Sequence, residues 1–164
     1  MKILVLFDSF FGNTAKIAQA IAEELSLHHE ITSERVDAAN LNQLQHLDLF
    51  FIGSPTRAFS ASPNITAFLK TIPVQSLAGV KVAVFDTRIE PEDIKPKLVG
   101  LAIKWAGYAD RKIISLLKPS GADVILPGEG FLVSESEGPL KDGELARAAT
   151  WARSLVTNFA AKKD

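Results

Sequence analysis

The sequence of 164 residues contains no cysteine. That excludes a disulfide framework, a thiolate nucleophile, a cysteine-held zinc and an iron–sulfur cluster, so any redox chemistry has to come from a bound organic group. An excess of one charge is missing as well, because 18 basic and 19 acidic residues leave a formal charge of -1. Without a net field or a block of like charges, nucleic acid is not an expected partner. Long apolar runs are also absent. Ile3 to Phe7 is too short for the core of a secretion signal, and nothing approaches the roughly 18 apolar residues of a membrane span. The expectation is a soluble, cytoplasmic protein with no membrane span. Hydrophobic residues, by contrast, make up 47% of the chain, enough for a buried core. No linker, repeat or low-complexity tract divides the sequence, which predicts a single domain over 1–164.

Lys2 to Phe7 (KILVLF) is continuously apolar after its lysine and stops at Asp8-Ser9, the pattern of a strand buried on both faces. A short loop with Gly12 follows. Ile17, Ala18, Ile21, Ala22 and Leu25 then recur at the spacing of one helix face. The polar, alternating stretch His29 to Val36 fits a sheet edge. Asp48 to Gly53 and Val80 to Phe85 return to the buried-strand pattern. Between them Ser62-Pro63 marks a helix start, with Ile65, Phe68, Leu69 and Ile72 as its face. Ala122 to Leu126 reads as a short fifth strand, broken by Pro127-Gly128-Glu129-Gly130 before Phe131 to Val133. Asp142 is placed to cap a last helix whose stripe is Leu145, Ala148, Ala152, Leu155, Val156 and Phe159. Ile89 to Pro119 is too long for one crossover helix. Gly107 onward, with Tyr108, Ala109, Ile113, Leu116 and Leu117, reads as the regular helix before the fifth strand; Asp93 to Ala106 is an inserted helix or lid, or a plain extra core helix. Five strands alternating with helices predict an α/β fold, a three-layer, doubly wound, five-stranded parallel sheet. The polar second strand belongs at an edge, giving the order 2-1-3-4-5.

In such a sheet a ligand sits beyond the carboxyl ends of the strands where the strand order reverses, here after strands one, three and four. The first of these loops, Ser9-Phe10-Phe11-Gly12-Asn13-Thr14, runs into a helix N-terminus whose free N–H groups and dipole favour a phosphate. Ser9, Asn13 and Thr14 add polar groups, and Gly12 lets the backbone approach closely. The same spacing fits a structural reading in which Asn13 or Thr14 caps the helix and Gly12 turns the chain. The other loops are Gly53-Ser54-Pro55-Thr56-Arg57-Ala58-Phe59 and Asp86-Thr87-Arg88. Rival phosphate motifs are missing: there is no Gly-x-x-x-x-Gly-Lys-Ser/Thr loop, and Gly128-Glu129-Gly130 lacks the third glycine and the following helix of a dinucleotide fingerprint. Asp8 has none of the neighbouring carboxylates that a phospho-receiver or a Mg²⁺-dependent aspartyl phosphotransferase needs. His28, His29 and His46 lie away from these loops, and no catalytic or metal-ligand set emerges.

Ser9 to Thr14 resembles the phosphate-binding Ser/Thr-x-Thr-Gly-x-Thr loop of the flavodoxin family in its Gly-Asn-Thr form, with Phe11 where a threonine is usual. Gly53-Ser54-Pro55-Thr56 with Arg57-Ala58-Phe59 resembles the loop beside the isoalloxazine ring. Asp86-Thr87-Arg88 stands where the other ring-flanking loop belongs, and Gly138 to Leu145 resembles the family's last crossover. The likeness covers nearly the whole chain except Ile89 to Ala106. It implies a flavodoxin-like fold, FMN as cofactor, and electron transfer with redox partner proteins, a reductase and an acceptor. On this likeness Ser9, Phe10, Phe11, Gly12, Asn13 and Thr14 would hold the phosphate. Ser54, Pro55, Thr56, Arg57 and Phe59 would flank one side of the ring, and Asp86, Thr87 and Arg88 the other.

The departures from the family pattern bear on function. Electron-carrier flavodoxins place a Trp and a Tyr on the two ring loops amid acidic side chains, whereas here stand Phe59 and two arginines. Cations near the ring favour its reduced, anionic form, which implies a second reduction potential less negative than that of the low-potential carriers. The other reading of Arg57 and Arg88 is a surface or salt-bridge role. Trp105 could stand in for the missing aromatic, and Trp151 reads as core. The near-neutral charge keeps open an enzyme on the same scaffold, a flavin-dependent NAD(P)H:quinone-type oxidoreductase. Phe11 and the thin aromatic stacking keep open a flavodoxin-fold protein that has lost FMN binding.

Overall fold

A strand made of consecutive apolar residues is stable only when both of its faces are covered, and the architecture follows from that requirement. The computed structural model describes residues 1–93 and 107–160. Its strands are β1 (Lys2–Phe7), β2 (Glu30–Arg35), β3 (Leu49–Pro55), β4 (Lys81–Arg88) and β5 (Asp123–Leu132). The α-helices among the described residues are α1 (Asn13–Ser26), α2 (Pro63–Thr71), α3 (Ala109–Leu117) and α4 (Glu144–Ala160). All neighbouring strands pair in parallel, in the order β2-β1-β3-β4-β5. The predicted three-layer sheet and its order are therefore present, with the polar β2 on an edge.

Side chains alternate across the pleat and divide the core in two. Ile3, Val5, Phe51, Ala83 and Phe85 pack under α1 and α4; Leu4, Leu6, Phe50, Ile52, Val82 and Val84 pack under α2 and α3. Helix α1 presents Ile17, Ala18, Ile21 and Leu25, the spacing read from sequence. Trp151 of α4 meets Phe51, Phe85 and Phe131 edge-on at 5.6, 6.4 and 5.9 Å between ring centroids, a geometry in which each pair adds about 1 kcal/mol beyond burial. In α2, Ser62 Oγ accepts from the Ile65 N–H at 3.3 Å, and Pro63 occupies the first turn.

Several boundaries differ from the sequence reading. Strand β5 is not broken at Pro127-Gly128. The pairing steps from Ala83↔Ile125 to Phe85↔Glu129, so a bulge absorbs the proline and glycine and the strand resumes. Strands β3 and β4 run on through Pro55 and Arg88, so Gly53 to Pro55 and Asp86 to Arg88 are strand ends rather than loops. Helix α4 starts at Glu144, and the Gly143 carbonyl accepts from Arg147 N, which leaves Asp142 one residue too early to cap it. The expectations on 94–106, Trp105 among them, fall outside the described residues. No helix of the described residues is long and apolar enough to cross a membrane.

Candidate functional site

Parallel strands aim the carboxyl ends of β1, β3 and β4 the same way, and the strand order reverses between β1 and β3. The chain passes from β1 to α1 through residues 8–12, a turn that Gly12 makes at φ +84°, a left-handed conformation that glycine adopts without cost. Gly12 is the N-cap residue, and no side chain caps the helix. The two polar candidates for capping point elsewhere. Asn13 Nδ2 donates to the Glu137 carbonyl at 2.9 Å, and Thr14 Oγ1 shares a 2.8 Å hydrogen bond with Thr87 Oγ1. The structural reading in which Asn13 or Thr14 caps α1 is thus set aside, and the first-turn N–H groups are left for a ligand or solvent. Beside them Ser9, only 6% exposed, has a buried Oγ with no hydrogen-bond partner among the described residues. Ser9, Phe10, Phe11, Asn13, Thr14, Pro55 and Thr87 line one recess together with Val133 and Ser136.

The end of β3 is committed to holding its neighbours. Ser54 Oγ accepts from Ser62 N at 2.8 Å and donates to the Pro55 carbonyl at 2.9 Å. Thr56 Oγ1 accepts from Ala109 N at 2.9 Å and so satisfies a first-turn donor of α3. Beyond it Arg57 and Ser60 bond backbone to backbone at 3.1 and 2.9 Å around Ala58 and Phe59, whose φ values are +45° and +63°. Two left-handed central residues make this a primed turn, and residues with a Cβ adopt that conformation at about 1–2 kcal/mol each. The Arg57 guanidinium lies 5.3 Å and 5.4 Å from the ring centroids of Phe10 and Phe11. Among the described residues it has no carboxylate partner.

At the end of β4 the alternation separates the three predicted residues. Thr87 turns to α1, while Asp86 and Arg88 turn to α3. Arg88 donates through Nε and Nη2 to the two oxygens of the fully buried Asp86 carboxylate at 2.5 and 2.6 Å, and lies 3.3 Å from Asp110. Its guanidinium sits 3.9 Å from the centroid of the Tyr108 ring. Asp86 Oδ2 also accepts from Asp110 N at 3.1 Å, so Thr56, just beyond β3, and Asp86, in β4, both satisfy first-turn donors of α3. Burial pushes the Asp86 carboxyl up to about 6, against the pull of Arg88. Burial also opposes the Arg88 cation, yet hydrogen bonding and attraction to Asp86, then Asp110, hold it above its usual value. Of the two readings of these arginines, Arg88 thus takes the salt-bridge one and is no free cation beside the site, whereas Arg57 has no carboxylate partner among the described residues.

Some contributors escaped the sequence reading. Arg35, the last residue of β2, donates through Nη1 to the Ser9 carbonyl at 3.0 Å and through Nη2 to Asp8 Oδ1 at 2.9 Å. Its register partner is Phe7, the residue before Asp8, so its side chain needs to reach only one position further along the neighbouring strand. Glu137 offers its carbonyl to Asn13, and Lys141 binds both Glu90 and Asp93, at 2.9 and 2.7 Å.

Comparison with known proteins narrows the family. A sequence model described as a flavodoxin domain matches residues 4–103. No curated protein matches the chain in sequence. Oxidised flavodoxin 2 from Bacillus cereus superposes with a TM-score of 0.72 at 22% identity over 99% of each chain. Oxidised flavodoxin 1 from the same organism gives 0.71 at 22% identity, over 96% of this chain and 98% of that one. Rubredoxin oxygen:oxidoreductase from Desulfovibrio gigas gives 0.71 at 17% identity, over 98% of this chain but only 36% of that one. Identities of this size speak for the fold alone. The domain match, which spans more than half of the sequence on the architecture just described, assigns the lineage: the chain belongs to the flavodoxin family.

Proposed function

We propose that the chain binds FMN at the α1 N-terminus and carries electrons between a reductase and an acceptor protein as a single flavodoxin-like domain of the cytoplasm. One observation carries this reading: the uncapped first turn of α1 and the unpartnered, buried Ser9 Oγ meet in one recess at the reversal of strand order. A phosphate group brings the acceptors that both lack, so the residues present fit the cofactor. Ser9 to Thr14 would hold the phosphate. Arg57 and Phe59 would flank one side of the ring, with the end of β3 (Ser54, Pro55) and the following Thr56, and the end of β4 (Asp86, Thr87, Arg88), fixing the frame around it. The bound flavin supplies reversible one- and two-electron transfer, while the polypeptide orients it and excludes water. With Arg88 paired, the shift of the second reduction potential toward less negative values rests on Arg57.

A second reading, a flavin-dependent NAD(P)H:quinone-type oxidoreductase, is favoured by one feature, the unpaired Arg57 over exposed Phe10 and Phe11 in a chain of net charge -1. Such a surface suits a small anionic substrate better than an acidic docking face would.

Titration of the ligand-free protein with FMN, followed by flavin fluorescence, tests the proposal. Saturable one-to-one binding is expected, and a protein that takes up no FMN defeats it. Ser9→Ala is expected to weaken FMN about tenfold, the worth of one hydrogen bond to a charged group. The same change should raise the stability of the ligand-free protein by about 1 kcal/mol, since it removes a buried hydroxyl without a partner. Rapid bleaching of the bound flavin by NADH or NADPH in stopped flow would favour the enzyme over the carrier.

A further inference from the structure

The stretch before α1 combines an anion site with a buried negative charge. Asp8 is fully buried one residue before Ser9, and its Oδ2 is, like Ser9 Oγ, without a partner among the described residues. A lone carboxylate here would repel the phosphate that the neighbouring N–H groups attract. Arg35 answers both the charge and the geometry. Its Nη2 donates to Asp8 Oδ1 at 2.9 Å and its Nη1 to the Ser9 carbonyl at 3.0 Å. Asp8 Oδ1 accepts from the Ser9 N–H at 2.9 Å as well. The peptide groups on both sides of Ser9 are thus tied back toward β1 and β2, and the unpaired Ser9 Oγ is held at the recess it lines.

We propose that Arg35 is a positioning residue for phosphate binding: it neutralises Asp8 and locks the Ser9 backbone so that the α1 N-terminus accepts the phosphate of FMN. The proposal rests on the functional reading above and adds a residue from outside the three ligand loops. Its signature is selectivity for the phosphate. A general structural role would weaken every flavin alike, whereas this one acts on the phosphorylated form.

The test compares FMN with riboflavin, which lacks the phosphate, on the full chain and on R35Q, R35K, D8N and the D8N/R35Q double variant. R35Q is expected to weaken FMN roughly tenfold, the effect of uncovering one nearby charge, and to change riboflavin much less. R35K, which keeps the charge, should lose less FMN affinity than R35Q, and D8N/R35Q should recover most of the loss. Equal loss of both flavins in R35Q, or no loss of FMN, overturns the proposal. Should R35Q fail to fold, D8N/R35Q is compared with D8N alone, and a tenfold loss of FMN that persists without the carboxylate overturns it. A wild-type protein that binds neither flavin defeats the functional reading instead. Arg35 is then judged by inorganic phosphate, which is expected to shift the amide resonances of Ser9 to Thr14 more in the wild type than in R35Q; equal shifts, or none, overturn the proposal.

Discussion

Asp86 offers a pH test whose sign is opposite to that of most carboxylates. Its carboxyl is buried at the end of β4, where desolvation outweighs two hydrogen bonds from Arg88 and one from Asp110 N, and its value rises from 3.8 to about 6. A group that binds its proton more tightly in the folded than in the unfolded state contributes stability at low pH and loses it as pH rises toward the folded value. From 3.8 to about 6 is about two pH units, about 3 kcal/mol in full at 1.36 kcal/mol per unit; because the unfolded carboxyl is already about half ionised at pH 4, the ionisation of Asp86 lowers folding stability by about 2 kcal/mol between pH 4 and pH 6–7. Glu144, whose value is lowered through its bonds to Arg147 and Leu132 N despite burial, works in the other direction and masks part of the slope. Urea denaturation of the wild type and of D86N at intervals from pH 4 to pH 7 isolates the contribution. The single amide oxygen of D86N can still accept from Asp110 N and Arg88 Nη2, while the bond from Arg88 Nε is lost at every pH, and the amide does not titrate in this range. The stability of the wild type minus that of D86N should fall by about 2 kcal/mol over the interval. A flat difference would mean that Arg88 and the helix cap fully offset burial, and a rising one would mean that they exceed it; either result refutes the reasoning.

Gly53 is set by packing rather than by backbone conformation, since a Cβ there would overlap the ring of the fully buried Phe85. G53A should lose at least about 2 kcal/mol in chemical denaturation, and F85L should return part of that loss in the double mutant; additive losses would contradict the assignment. At the Arg57–Ser60 turn, A58G relieves about 1 kcal/mol of left-handed strain and adds a smaller entropy cost in the unfolded chain. A gain of about 0.5 kcal/mol is expected, and a loss of stability would show that the Ala58 methyl group makes a contact worth more than the strain.

What could be read from sequence is what burial dictates locally. The apolar runs of β1, β3 and β4, the face of α1 and the Ser62-Pro63 start of α2 each follow from the need to cover or expose neighbouring side chains, and each appears where expected. The polar ends of β3 and β4 could not be read this way, because Ser54 and Asp86 remain in the ladder through backbone pairing that composition does not reveal. Nor does a proline-glycine pair announce that a strand resumes beyond it, as β5 does after its bulge. The site itself depends on bonds between distant residues: Asn13 with Glu137, Thr56 with Ala109, Arg35 with Asp8. Periodicity carries no information about these, since each joins elements that meet only when the sheet closes. Arg88 shows the limit well. Its charge was legible, but its neutralisation by Asp86 and Asp110 was not.

These distant bonds also bear on Phe11, which stands where the family resemblance expects a hydroxyl residue in the proposed phosphate loop. Most of the polar side chains around the recess already serve the fold: Asn13 holds the loop after β5, Thr14 and Thr87 hold each other, and Ser54 and Thr56 secure the starts of α2 and α3. What remains for an anion is the N–H groups of the first turn of α1 and the Ser9 Oγ, with Gly12 making the left-handed turn that leads into the helix. A side chain at position 11 adds nothing to that set unless it reaches the anion, whereas the Phe11 ring lies half-exposed under Arg57. The substitution therefore exchanges one hydroxyl for an aromatic support that holds a cation beside the site. It leaves the backbone donors, on which helix-terminal anion binding chiefly depends, as they were.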